Sequence, residues 1–264
     1  MSLELHALRF ENPDAPVLLI IHGLLGSSRN WTTIGRAFQA THDVHAIDLR
    51  NHGQSPHNAS MAWADLVSDL RLYLQKHGIQ QCGVLGHSLG GKVAMRFACD
   101  FPALVTSLII VDIAAKTYNA HLDREFQAMK AVDCATLTNR KAAEEQLAAF
   151  IDDWALRQFI LTNLVAERNG QGYRWQLNVD GLHEALDTIR CNPLSQEDRY
   201  TGPSLLIWGA RSDFVEETDI EKMRVHFPKL EAEAMETGHN AHVEDRKGFL
   251  SIVQPWLQSS TNSA

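Results

Sequence analysis

Residues 83–92 read GVLGHSLGGK, a serine set between two glycines at the end of an apolar run. The spacing Gly86-x-Ser88-x-Gly90 suits a nucleophile, because a serine attacks a carbonyl only when its hydroxyl stands clear and a base takes its proton. Alone the pattern is weak, since glycine is common enough to produce such triplets by chance. Its surroundings strengthen it. Ser88 closes the run CGVLGHS and precedes LGGKVAMRFACDF, in which Val93, Phe97 and Phe101 recur every four residues. The serine therefore lies where a strand turns into a helix, with glycines on both sides to let neighbouring backbone pass closely. The first amides of that helix would face any negative charge developing on the group attacked. A serine used in this way also needs an imidazole, and a carboxylate to orient it. TGHNAHVED supplies two histidines, His239 and His242, while Asp112 and Asp213 each follow an apolar run.

The elements that must hold these residues are legible as short apolar runs, each ending in a turn: VLLIIHG (17–23), VHAID (44–48), CGVLGHS (82–88), LIIVD (108–112) and LLIWG (205–209). Continuous rather than alternating apolar character suits parallel strands covered on both faces. In MAWADLVSDLRLYLQKHG, Trp63, Leu66, Val67, Leu70, Tyr73 and Leu74 share one helical face, and Gly78 follows as a stop. Strand alternating with helix predicts an α/β fold with a doubly wound, mostly parallel sheet. The alternation lapses over residues 118–191. There REFQAMKAV, RKAAEEQLAAFI and WALRQFILTNLVAE read as helices before GYRWQLNVDGLHEAL interrupts the pattern. More than 70 residues is too long for a loop in a compact domain. The reading is a core of residues 1–117 and 192–264 with residues 118–191 inserted as a helical cap over the strand C-termini, where open α/β sheets bind ligands.

Composition narrows the partners. A 264-residue chain with 45% hydrophobic and 21% charged residues is an ordinary globular domain. Its net charge of -8 argues against nucleic acid or an anionic membrane as the main partner. Cys82, Cys99, Cys134 and Cys191 are widely spaced and read as reduced, mostly buried thiols of a cytoplasmic protein. The start MSLELHALRFENPDAP lacks the pattern of a signal peptide, and APVLLII is too short to cross a membrane. The polar tail QSSTNSA is expected to fray, and His121 and His226 to lie at the surface.

With GHSLGG stand HGLLGSSRNW after the first buried strand, DLRNHGQS after the second, and TGHNAHVED near the C-terminus. Together these motifs resemble the α/β-hydrolase fold family over nearly the whole chain. DLRNHGQS, VDIA, YRWQLN and TGHNAHVE are most similar to the small bacterial esterases of the YbfF type. The resemblance implies that the backbone N–H groups of Leu24 and Leu89 form an oxyanion hole. It also implies that His239, which follows Gly238, is the base, with His242 making a structural hydrogen bond at a helix start. His22, His52 and His87 flank the site as structural or pocket-lining residues. The acid departs from the family's common pattern, since WGARSDFV has Ser212 at the usual position and Asp213 one residue later. YbfF-type enzymes resemble this chain in carrying an aspartate after the sixth strand, which maps to Asp112, with a serine near the usual acid position. Asp112 is preferred because a one-residue shift points Asp213 elsewhere, and Ser212 then becomes a fourth member of the network.

The expected activity is a serine carboxylic ester hydrolase working through an acyl-enzyme, without metal or cofactor. Its expected substrates are short- to medium-chain acyl esters or thioesters such as acyl-CoA. Phe126, Trp154, Phe159 and Trp175 are candidates to line an acyl pocket beside His22 and His87. Rival readings are other cofactor-free chemistry on this scaffold (carbon–carbon bond hydrolysis, haloperoxidase or eliminating-synthase reactions) and a small-ligand receptor without turnover. The expected state is a monomer or homodimer with no nucleic-acid partner and no membrane insertion.

Overall fold

A computed structural model describes residues 2–120, 122–167 and 172–261; His121 and the last three residues of the polar tail lie outside them. Seven strands form one sheet. In chain order they are β1 (Ala7–Phe10), β2 (Val17–Ile21), β3 (Asp43–Ile47), β4 (Cys82–His87), β5 (Val105–Val111), β8 (Ser204–Gly209) and β9 (Leu230–Met235). The spatial order is β1-β3-β2-β4-β5-β8-β9, with β1 antiparallel to β3 and every other pair parallel. The central strands are the uninterrupted apolar runs. Leu18 to Ile21 and Leu108 to Val111 are fully buried because helices cover both faces. Each such side chain contributes roughly 1.5–3 kcal/mol relative to exposure. β9 reads LEAEAM and escapes a search for apolar runs, since at the sheet's edge only Leu230 and Met235 are buried while Glu231 and Glu233 face solvent.

The helix Trp63–Lys76 buries Leu66, Val67, Leu70, Tyr73 and Leu74, and Gly78 follows it at φ +66°. The residues between β5 and β8 carry helices Asp123–Ala131, Arg140–Ala148, Trp154–Leu161, Val179–Glu184 and Leu186–Arg190. They also carry a two-stranded antiparallel ribbon, β6 (Leu164–Ala166) with β7 (Tyr173–Trp175). The segment WALRQFILTNLVAE is thus not helical throughout. The helix stops at Leu161, and a turn at Thr162 and Asn163 leads into β6.

This inserted segment leaves and rejoins the core at one place. Tyr118 N donates to Arg190 O at 3.0 Å, and Asn192 N to Thr117 Oγ1 at 3.0 Å. Lys92, buried in the helix Leu89–Asp100, points its ammonium at the carbonyls of Ile189, Arg190 and Cys191 (3.2, 2.8 and 2.8 Å). The cysteines are free, but only Cys82 is buried; Cys99 and Cys134 are half-buried and Cys191 is exposed, because the chain returns to the core at the surface. His226 is half-buried rather than at the surface, with Nδ1 2.9 Å from Asp198 O. Among the described residues no helix is long and apolar enough to cross a membrane.

Candidate active site

Ser88 caps the N-terminus of the helix Leu89–Asp100 with φ 52° and ψ -119°, a backbone state that non-glycine residues rarely adopt. Three bonds hold it there: Ser88 N donates to Val111 O at 3.0 Å, and Gly91 N and Lys92 N donate to Ser88 O at 2.9 and 3.1 Å. The flanking glycines are required by approach. A Cβ on Gly86 would lie 2.2 Å from Gly90 O, and one on Gly90 2.3 Å from Ile21 O. Ser88 is half-buried, and its hydroxyl donates to no acceptor among the described residues. The amides of Leu89 and Gly90 precede the first intrahelical bonds and are free to meet an anion.

The loop after β2 passes directly against this serine, for a Cβ on Gly23 would lie 3.1 Å from Ser88 Cβ. A turn closed by Gly26 N donating to Gly23 O (3.0 Å) leaves Leu24 N–H outside its own bond and sets Leu25 at φ 62°. His22 stands behind the turn rather than in a pocket. It is buried, its Nδ1–H donates to Gly23 O (2.8 Å), and its Nε2 accepts from Leu49 N (3.1 Å), so neither nitrogen is left for a ligand. Burial lowers its pKa, against the pull of Asp48. His52 packs 4.8 Å from His22, donates Nδ1–H to Arg50 O, and is pushed by burial down to about 3.

Asp112 directly follows β5 and is fully buried, at φ 47°. Its carboxylate meets three groups: Gly209 N at 2.8 Å on Oδ1, and Ser212 Oγ at 2.5 Å and His239 Nδ1 at 2.7 Å on Oδ2. Asp213 is exposed. The fold thus brings Asp112, Ser212 and His239 together and leaves Asp213 outside, because β5 and β8 are neighbours in register and the loop after β8 turns Ser212 toward the carboxylate while Asp213 faces solvent. His239 Nδ1 carries the proton shared with the carboxylate, which leaves Nε2 as the basic nitrogen. His87 secures the loop by donating Nε2–H to His239 O at 2.9 Å. Its ring lies 4.7 Å from that of His239, and burial lowers its pKa well below the ordinary value.

Two neighbours of this cluster carry no local signal strong enough for sequence reasoning. Phe214 stacks on the His239 ring at 3.8 Å and 19°, and its carbonyl accepts from Tyr118 OH at 2.7 Å. Asn163, from the inserted segment, donates Nδ2–H to Leu25 O at 2.8 Å. The His242 side chain makes no hydrogen bond among the described residues. It is buried, stacks on Trp31 at 4.1 Å and 5°, leaves Nδ1 without a partner among the described residues, and is held by burial down to about 3. Two of the aromatic candidates also differ from expectation. Phe126 is fully buried and stacks on His183, so it belongs to the core, whereas Trp154 is 64% exposed on the helix face turned away from that core. Phe159 and Trp175 are half-buried, the latter donating its indole N–H to Met129 O at 2.9 Å. No group of three His, Cys, Asp or Glu side chains forms a metal-binding cluster among the described residues.

A family model described as alpha/beta hydrolase fold matches residues 16–246. The chain is 34% identical over 251 residues to the sn-1-specific diacylglycerol lipase ABHD11 of Mus musculus, covering 92% of this chain and 81% of that protein. Its counterpart of the same name in Danio rerio is 35% identical over 254 residues, 93% of this chain and 79% of that one. Among solved structures, a marine microorganism esterase superposes with a TM-score of 0.93 at 30% identity, over 97% of this chain and all of the other.

Proposed function

Because the chain belongs to the α/β-hydrolase fold family, we propose that it is a serine hydrolase of carboxylic esters, acting through an acyl-enzyme. Ser88 Oγ attacks the acyl carbon while His239 Nε2 takes its proton. Asp112 keeps the other imidazole proton on Nδ1 and stabilises the imidazolium that forms. The charge on the former carbonyl oxygen is received by the backbone N–H groups of Leu24 and Leu89, each donor worth about 3–4 kcal/mol in the transition state. The tetrahedral adduct expels the alcohol, which leaves with the proton from Nε2. Water then repeats the sequence on the acyl-Ser88 ester and releases the acid. The observation that carries this reading is the 2.7 Å contact of His239 Nδ1 with an aspartate that has no exposure to water. A buried carboxylate of this kind is stable only when donors surround it.

The substrates are short- to medium-chain acyl esters, thioesters among them. The name of the mouse relative supports extending the range to acylglycerols. Residues 118–191 act as a cap that closes over the bound acyl chain, with Phe159 and Trp175 against it. The test is turnover of p-nitrophenyl acetate, butyrate and octanoate, and of the matching acyl-CoA and monoacylglycerol, by wild type and Ser88→Ala. Loss of at least about 10⁴-fold in kcat in a folded Ser88→Ala protein is expected. Retention of more than about a tenth of the wild-type rate removes Ser88 from the mechanism.

A further inference from the structure

Asn163 belongs to the inserted segment, yet its side chain ends on the loop that passes Ser88. Nδ2 lies 2.8 Å from Leu25 O and 3.2 Å from Ile160 O, and the residue is buried. Its own backbone is fixed on both sides, with Asn163 N donating to Ile160 O at 3.0 Å and Gln176 N donating to Asn163 O at 2.8 Å. The carbonyl it holds is under unusual demands. Leu25 is buried and stands at φ 62°, where a Cβ is crowded against the following carbonyl. A buried carbonyl without a donor also loses the hydrogen bond that water would give it. Both penalties favour any rearrangement of the 23–26 turn that relaxes Leu25 or turns its carbonyl to water.

We infer that Asn163 is a positioning residue for the oxyanion hole: the inserted segment holds Leu24 N–H in place by fixing the carbonyl of Leu25. The inference rests on the esterase reading of the site. Residue 24 is the neighbour of the residue gripped, and a donor stabilises an oxyanion only while it stays within hydrogen-bond distance of where that oxygen will be. The segment between β5 and β8 therefore contributes to the rate of acyl transfer as well as to the choice of acyl chain.

The test compares Asn163→Ala and the isosteric Asn163→Asp with wild type on p-nitrophenyl butyrate. It also measures inhibition by a trifluoromethyl ketone, whose hydrated adduct mimics the oxyanion. Full loss of one donor is worth about 10²–10³ in kcat, so a loosened donor should lower kcat by about 10- to 100-fold. KM should stay within about twofold, and the inhibition constant should rise by the same factor as kcat falls. The aspartate variant adds a readout that packing alone does not move. A carboxylate buried beside two carbonyls is neutralised as pH falls, and its O–H can then donate to Leu25 O. Its rate relative to wild type should recover between pH 8 and 6, while that of Asn163→Ala stays level. An unchanged kcat in both variants, or a change confined to KM or chain-length preference, overturns the inference. If Asn163→Ala does not fold, the aspartate profile decides alone. If wild type turns over no ester, the esterase reading fails and this inference with it; a normal wild type beside normal Asn163 variants overturns the inference alone.

Discussion

Four histidines around the site are buried in the neutral state, so the fold should be unusually sensitive to mild acid. His52 and His242 are held by burial down to about 3, and His22 and His87 are lowered in the same direction, from an ordinary value of 6.5. On unfolding each returns to that value and binds a proton below it. The unfolded state therefore holds more protons, and stability falls as pH drops through 6.5 toward 3. The rate of loss is about 1.4 kcal/mol per pH unit for each such histidine, or about 2 kcal/mol each by pH 5. His52 and His242 together then remove about 4 kcal/mol, against a usual total of about 5–15 kcal/mol, and His22 and His87 add to the loss in the same direction. Asp43, Asp48 and Asp198 are lowered from 3.8 and act in the same sense, but chiefly below pH 5, which leaves the window from 6.5 to 5 to the imidazoles. Urea unfolding followed by tryptophan fluorescence at pH 7, 6 and 5 gives the proton uptake from the pH dependence of the unfolding free energy. About two protons are expected near pH 5.5 from His52 and His242, with further uptake from the other buried imidazoles, and about one fewer in His242→Phe, which keeps the stack on Trp31. Uptake below one proton would refute the claim that these rings are neutral because they are buried.

Asp112→Asn presents an amide N–H to His239 and favours the wrong imidazole tautomer, so kcat should fall by about 10⁴-fold with little change in thermal unfolding. Asp213→Asn should retain most activity and Ser212→Ala lie between; a crippled Asp213→Asn protein would return the acid to the β8 loop. Gly23→Ala sets a methyl 2.8 Å from His87 Nδ1 and 3.1 Å from Ser88 Cβ. Displacement of this order should lower kcat/KM by about 10²-fold, and a variant with wild-type kcat/KM would show that the loop yields without moving the hole.

The parallel strands were legible because burial on both faces writes them as unbroken apolar runs, such as LIIV ahead of Asp112. β9 was not, because an edge strand keeps glutamates on its exposed positions. Ser88 was legible through local chemistry, a strand, a tight turn and a helix in consecutive residues. The choice between Asp112 and Asp213 could be argued from register, since one residue reverses a side chain's direction. Phe214 and Asn163 had no comparable signal. What they touch is set by tertiary packing, and the bond from Asn163 to Leu25 spans 138 residues of chain. The same limit separates Phe126 from Trp154: both sit in helical patterns, and only the packed helices decide which one faces inward.

Lys92 bears on how exchangeable the inserted segment is. Its ammonium is buried, no carboxylate among the described residues pairs with it, and burial lowers its pKa to about 7. The carbonyls of residues 189–191 take the place of its water. A chimera that grafts a foreign insert between residues 117 and 192 would strip those carbonyls away and strand a cation in the core, at several kcal/mol. Transplantation should succeed only if the stretch 186–192 stays with the host, or if Lys92 is replaced by methionine in the same step. The natural splice point for recombination therefore lies inside the insert, one short helix upstream of where the sequence alone would cut.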